Sequence, residues 1–219
     1  MNKAFYEEFY IASKKVGAIT CSFAKSEMSA DWISIYRLGM NMGEKLILYC
    51  NRVEYRVVKE QVVWSKSYFE EGKKSKRLEL KGENLLVDGE EATFNVKNRL
   101  IFPDFAYYLA IYQLLIVGTS QLDFDYISSQ SGELIPNCRL EFIGEEDILK
   151  DNVLVKTKLI QESKNGKLSN KFWLGEDLKI VQSDWMGAFS YVVENKDIAV
   201  RGLEPKIQVF LHRNDYFKT

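Results

Sequence analysis

The chain has 219 residues, of which 46% are hydrophobic and 28% charged, a globular composition that excludes a disordered chain. Its 30 Lys and Arg residues nearly balance its 31 Asp and Glu residues, so there is no basic excess to neutralise a nucleic acid backbone. Three cysteines without metal-ligand spacing exclude a disulfide framework and indicate free thiols. We expect one domain spanning residues 1–219 and no nucleic acid partner.

The N-terminal part of the chain alternates between apolar and polar residues and breaks at Gly, Asn or Asp. This pattern is typical of antiparallel strands joined by short turns. Phe5 and Phe9 share one face of the first run, and Ile19 and Cys21 share one face of the second. The two runs predict a hairpin that turns at residues 14–17.

Further strands follow with the same period. In "EKLILYCNRVEYRVV", Tyr49, Val53 and Tyr55 alternate with charged residues, which predicts a strand with one apolar and one solvated face. Two more hairpins are predicted, one turning at residues 71–74 and one at the Asp88-Gly89 pair, which is a strong turn signal.

The pattern changes at "FPDFAYYLAIYQLLIVG", where apolar residues are nearly continuous and end at Gly118. Pro103 precedes Asp104, a residue able to cap, so the segment predicts a helix from Asp104 to Ile116. Because this helix is apolar almost all round, we expect it to be buried or to lie across an apolar opening.

Strands resume after the helix, and "KIQVFLHRN" near the C-terminus is predicted as the last of them, whereas "GEEDILKD" is predicted as a solvated loop. About a dozen sequential strands with one helix predict a mainly β protein. We expect a large curved antiparallel sheet, as in a half-barrel or open barrel, because flat sheets this wide normally curl or split. One principal helix is expected to plug or cover its concave face.

The segments "ILYCNRVEYRV", "IFPDFAYYLAIYQLL" and "NKFWLGEDLKIVQSDW" follow one another in an order that matches a known group. Over residues 4–195 the chain resembles the uncharacterised bacterial half-barrel family near the periplasmic lipoprotein-carrier (LolA-like) superfamily. The resemblance implies an incomplete antiparallel barrel around a helical plug, with an apolar cavity. It transfers no catalytic residue to this chain.

Candidate catalytic groups are few. Asp123 and Asp125 share one face of a strand, but we expect them to point to solvent near Arg139, since Leu122 and its alternating neighbours take the buried face. His212 is the single histidine, which excludes a His-rich metal site, and an exposed position is expected for it. No phosphate-binding loop occurs, so catalytic residues stay unknown and neither a metal nor a cofactor is predicted.

Aromatic residues are concentrated in the predicted fourth and fifth strands, the helix and the closing strands. Most are expected to be core, but apolar walls with a few polar groups also describe a small-molecule pocket. Phe172 is predicted to line the concavity while Trp173 faces the other side. The predicted ligand-binding residues are Tyr49, Tyr55, Phe105, Tyr108, Phe172 and Tyr191.

Two functions remain open at this point, with a protein-interaction scaffold as a third. One is binding of an apolar small molecule or lipid acyl chain in the concave cavity. The alternative is a cofactor-independent enzyme of the cyclase, isomerase or hydratase type that acts on an apolar metabolite there. Glu7 and Glu8 interrupt any signal-like run and no segment reaches membrane-spanning length. We therefore expect no transmembrane segment and a cytoplasmic protein, or a periplasmic one if the chain is a mature form lacking its leader.

Overall fold

A computed structural model describes residues 3–26 and 31–213. Strands make up 63% of the structure and form one large, curved, open sheet, to which 15 strands within these residues contribute. The predicted fold class, a curved β sheet with a principal helix, is confirmed. The strand number exceeds the predicted dozen because some strands are very short.

The strands have the following bounds: β1 (Lys3–Ile11), β2 (Lys14–Lys25), β3 (Trp32–Met42), β4 (Lys45–Val58), β5 (Gln61–Glu71), β6 (Lys74–Lys81), β7 (Asn84–Val87), β8 (Glu90–Glu91), β9 (Ile101–Pro103), β10 (Gln121–Ile127), β11 (Leu134–Lys150), β12 (Val153–Lys164), β13 (Lys167–Leu174), β14 (Ile180–Trp185) and β15 (Ala188–Val193). The helices are a 3-10 turn (Asp104–Ala106), α1 (Tyr107–Val117), α2 (Lys196–Val200) and α3 (Pro205–His212).

Strand β1 lies in the interior of the sheet, where it pairs with β2 on one side and with β15 on the other. From there the sheet continues in sequence order through β3 to β8 in one direction and back from β15 to β9 in the other. All the pairs are antiparallel except β9 with β10, which is parallel. The first and last strands therefore meet inside the sheet, and hairpins extend it on both sides.

The concave face holds the principal core. One continuous cluster of buried side chains surrounds α1 and draws members from strands on both sides of β1, such as Trp64 and Phe172. A single helix can contact strands so far apart in the sheet only if the sheet wraps around it. Helix α1 therefore plugs the concave face, as the sequence predicts.

The convex face carries a smaller core under the two C-terminal helices. Ala18 packs there with Ile207 and Leu211 of α3, and the small helix α2 joins the same cluster. Gly39 of β3 allows this approach, because a Cβ atom at that position would lie 2.7 Å from Cγ2 of Ile207. With both faces covered, the segment 33–38 of β3 is buried throughout.

Three local predictions are wrong. The first hairpin turns at Ala12 and Ser13, both with positive φ, rather than at residues 14–17. The segment predicted as a solvated loop, residues 144–151, instead continues β11 to Lys150, and the hairpin turns at Asp151 and Asn152. The predicted last strand is helix α3, which buries Ile207, Phe210 and Leu211. Their spacing of three and four residues is helical.

Candidate ligand site on the concave face

Helix α1 is held at its start by the residues that the sequence singles out, although not by a conventional cap. Asp104 Oδ1 accepts hydrogen bonds from the main-chain N–H groups of Phe105 and Ser129, both at 2.8 Å. These bonds join the 3-10 turn to the loop after β10. The α-helix proper begins at Tyr107 and ends at Gly118, whose φ of +69° is the left-handed conformation that glycine favours at a helix end.

Two side chains of α1 make polar contacts with the sheet. The hydroxyl of Tyr108 lies 2.7 Å from the hydroxyl of Ser34. The Gln113 amide accepts a hydrogen bond from the N–H of Val62 at 2.5 Å and donates one to the carbonyl of Glu60 at 3.0 Å. The other buried helix residues pack through apolar or aromatic contacts.

Five of the six predicted ligand-binding residues come to the concave side. Tyr49, Tyr55, Phe105, Tyr108 and Phe172 all belong to the core around α1 or pack against it. The rings of Tyr49 and Phe105 are 5.3 Å apart, and Phe172 stacks on Tyr107 at 5.3 Å. Trp173 faces the opposite side, as predicted, where its indole N–H donates to Glu146 at 2.8 Å.

Tyr191 is not brought to this site. In the sheet it stands directly opposite Glu8, and its ring contacts Tyr10 at 5.6 Å and Phe189 at 6.4 Å. On β15 the residues that face the concave side are Ser190 and its period-two neighbours. Phe189 and Tyr191, the aromatic residues of β15, lie on the convex side, whereas Tyr191 is predicted to lie on the concave side.

Side chains pack the concave face around α1. Within the described part of the chain, five well-formed surface grooves are lined by other residues than the six predicted ones. The one with the largest volume, about 770 Å³, lies between residues 87–94 and residues 131–134. Phe172 has no exposed surface. A molecule bound among the predicted residues therefore needs α1 to move.

Glu7 is the feature of the concave face that the sequence interpretation missed. It pairs across the sheet with Ile19 of the concave core and has no exposed surface. Ser190 donates a hydrogen bond to its Oε2 atom. Burial raises the pKa of Glu7 from 4.5 to about 7, and the bond from Ser190 offsets part of this increase.

Several polar groups surround Glu7. The pKa values of Tyr36 and Tyr107 are raised well above the ordinary value, first by burial and then by the charge of Glu7. Ser183 stands opposite Ser190 in the neighbouring strand. The ring of Tyr107 lies 4.7 Å from that of Trp185. We call the set Glu7, Tyr107, Ser183, Trp185 and Ser190 the Glu7 cluster.

The sequence does contain a signal for this placement. Glu7 lies midway between Phe5 and Phe9, so the period of two that turns these rings inward also turns the Glu7 carboxyl inward. Its charge also interrupts an apolar run, and that is the property on which the sequence interpretation rests. An acidic residue in phase with apolar neighbours is a candidate buried group.

The other candidate groups lie away from this cluster or are inert. Asp123 is exposed, as predicted, and its bond of 2.7 Å from Arg139 lowers its pKa. The prediction that Asp125 points to solvent is wrong, because it is buried and pairs with Arg99 at 2.6 Å. His212 is exposed at the end of α3. Burial raises the pKa of Cys138 to about 11, and that of Cys21 also well above its usual range, so both thiols stay protonated at neutral pH.

Within residues 3–26 and 31–213, no group of three or more His, Cys, Asp or Glu side chains is arranged to hold a metal ion. No helix in these ranges combines the length and apolar character needed to cross a bilayer.

Fold and site together define an open half-barrel with a helix packed against an aromatic and partly polar concave core. No protein-family model matches the chain, and no curated protein matches it. Among solved structures the chain is similar to a DUF1329 family protein from Desulfovibrio piger, with 10% sequence identity and a TM-score of 0.28 over 90% of this chain and 87% of that chain. A TM-score this low supports no argument about function, and the predicted family resemblance stays a prediction.

Proposed function

We propose that this protein binds an apolar small molecule or acyl chain on the concave face of the half-barrel, with α1 as a movable cover. The observation that carries the proposal is the concentration of aromatic side chains around one short apolar helix. Clefts with apolar and aromatic linings and a few polar groups are the usual sites for small organic molecules.

The build of α1 supports a role as a cover. It has 11 residues, and a helix this short is not stable without tertiary packing. Its polar contacts with the sheet are made by Tyr108 and Gln113. Tyr112 and Val117 on its outer side remain 45% and 46% exposed, so an apolar edge of the helix faces solvent beside the core. An apolar ligand inserted between α1 and the sheet would keep buried the surface that the helix now covers.

Enzymatic turnover on the same molecule is the alternative. A single buried carboxyl such as Glu7 does not specify a reaction, because general acid or base catalysis also needs a positioned substrate and a second group with a defined role. Binding requires only the apolar surface and the movable helix. Binding is therefore the function that the geometry favours.

The test uses two phenylalanines that lie close in the sheet but on opposite faces. Phe172 contacts Tyr107 and Trp185 on the concave side, whereas Phe189 stacks on Tyr191 on the convex side. We expect wild-type protein to bind the fluorescent apolar probe phenylnaphthylamine, and Phe172→Ala to weaken binding about tenfold through lost contact area. Phe189→Ala is the matched control and should bind as wild type does.

Thermal melts of both variants establish that each is folded at the assay temperature. Native mass spectrometry of protein purified from its own host provides an independent measurement, since a co-purifying lipid or metabolite would identify the ligand class. Wild-type protein that fails to bind the probe, or equal weakening by Phe172→Ala and Phe189→Ala, would contradict the proposal.

A further inference from the structure

The Glu7 cluster contains four polar atoms that have no hydrogen-bond partner among residues 3–26 and 31–213. They are Oε1 of Glu7, the hydroxyl oxygens of Tyr107 and Ser183, and the indole Nε1 of Trp185. Glu7 and Ser183 have no exposed surface, and Tyr107 is 3% exposed. Buried polar groups are nearly always paired in folded proteins, so four unpaired atoms in one cluster require an explanation.

The cluster adjoins the proposed binding surface. Ser183 stands opposite Phe172 in the sheet, and Phe172 stacks on Tyr107. Tyr107 contacts Tyr36 at 6.1 Å, and Tyr36 contacts Phe105 at 6.1 Å. Aromatic surface is therefore continuous from the Glu7 cluster to the predicted apolar site.

We infer that the Glu7 cluster is the subsite for the polar head group of the bound molecule, and that this head group is uncharged and both donates and accepts hydrogen bonds, as an alcohol or a primary amide does. This inference rests on the proposed binding function and adds to it the chemical class of the ligand. The apolar part of the molecule would extend from the cluster along Phe172 and Tyr107.

The need for both a donor and an acceptor follows from the atoms that lack partners. Above its pKa of about 7 the Glu7 carboxylate is ionised and only accepts, so at pH 8 its free Oε1 needs a donor from the ligand. The Trp185 N–H only donates, so it needs an acceptor from the ligand. The hydroxyls of Tyr107 and Ser183 serve in either direction. An ammonium group offers no acceptor, and a carboxylate offers no donor, so neither satisfies both Glu7 and Trp185.

Charge excludes an anionic head group. Among the described residues Glu7 takes part in no ion pair, and the neighbouring Glu8 is the residue that pairs with Lys15, at 2.7 Å on the convex side. A carboxylate or phosphate placed beside Glu7 would bring a second anion into a buried site without a cation, which is strongly unfavourable. An uncharged head group avoids this penalty.

The test compares five molecules with the same ten-carbon chain: decane, decanol, decanamide, decanoate and decylammonium. Each displaces phenylnaphthylamine from wild-type protein in a competition assay. We expect decanol and decanamide to bind about tenfold more tightly than the two charged molecules and than decane, since only they provide both a donor for Glu7 and an acceptor for Trp185. The indole N–H resonance of Trp185 should also shift on addition of decanol.

Trp185→Phe with Ser183→Ala should reduce the preference for decanol over decane at least about threefold, because two of the four groups that bind the head group are lost. Trp173→Phe is the matched control, because that indole N–H is already bonded to Glu146. Decane binding as tightly as decanol, or a preference that the double substitution leaves unchanged, would overturn the head-group subsite alone. Failure of all five molecules and of the probe to bind would overturn the proposed function and the subsite with it.

Discussion

Replacing Glu7 with Gln tests whether the concave core contains a carboxyl that titrates near neutral pH. The folded-state pKa of Glu7 is about 7, against an ordinary value of 4.5 that applies in the unfolded chain. Below pH 4.5 both states are protonated and burial imposes no charge penalty. As the pH rises from there towards 7, the unfolded chain loses the proton first, so the free energy of unfolding falls with increasing pH. Above pH 7 the loss is complete.

The size of the effect follows from the shift. Each pKa unit corresponds to about 1.4 kcal/mol, so Glu7 should lower the free energy of unfolding by about 3 kcal/mol at pH 8. Most of this, about 2–3 kcal/mol, should appear between pH 5 and pH 8. Glutamine carries no charge at any pH. The stability of Glu7→Gln relative to wild type should therefore rise by about 2–3 kcal/mol over this range.

Urea unfolding of both proteins at several pH values between 5 and 8 measures this difference. Other titrating groups affect both proteins alike and cancel in the comparison. Glu8→Gln is the matched control, because Glu8 pairs with Lys15 on the convex side and the buried Glu7 carboxyl is retained. It should show the pH dependence of wild type. A difference between Glu7→Gln and wild type that stays constant with pH would refute the buried titrating carboxyl.

Four further substitutions test how the helices are held. Leu109→Asp places an unpaired charge at a position that is 1% exposed, and it should lower the free energy of unfolding by at least about 3 kcal/mol. Tyr112→Asp, at a position that is 45% exposed, should change the free energy of unfolding by less than about 0.5 kcal/mol. Equal urea midpoints for the two variants would show that α1 is not buried. Gln113→Ala removes both hydrogen bonds between α1 and the β4–β5 hairpin. It should raise the rate of probe uptake, measured by stopped-flow fluorescence, at least about threefold. An unchanged rate would show that α1 does not move. Gly39→Ala should lower the free energy of unfolding, measured with urea, by about 1–3 kcal/mol, because the new Cβ would lie 2.7 Å from Cγ2 of Ile207. An unchanged free energy of unfolding would show that α3 can shift freely.

The strand pattern was largely predictable because its signals are local. The Asp88-Gly89 pair turns a hairpin between β7 and β8, as turn chemistry requires. Gly118 ends α1 in the left-handed conformation. Period-two alternation also placed Tyr49 and Phe172 on the concave side.

The hydrophobic pattern predicted the wrong element where a segment fits both the strand and the helix period, or where both faces of a strand are exposed. Ile207 and Leu211 fit alternation as well as helical spacing, and the contact of α3 with the convex face selects the helix. In the outer part of β11, Glu145 and Asp147 stand opposite Lys158 and Lys156 of β12. The charged residues that predicted a loop therefore stand opposite residues of the other charge on the neighbouring strand of a solvated hairpin.

The sequence by itself determined that the chain forms many antiparallel strands and one strongly apolar helix, because period and turn residues act over a few neighbours. Only the tertiary structure decided which face of the central strands became the concave core, because both faces of these strands are covered and hydrophobicity then no longer marks the inside. Tyr191 therefore lies on the convex side although it is aromatic. Glu7 lies on the concave side although it is an acidic residue, because the pairing of β1 with β2 and β15 fixes which face of the sheet its side chain occupies.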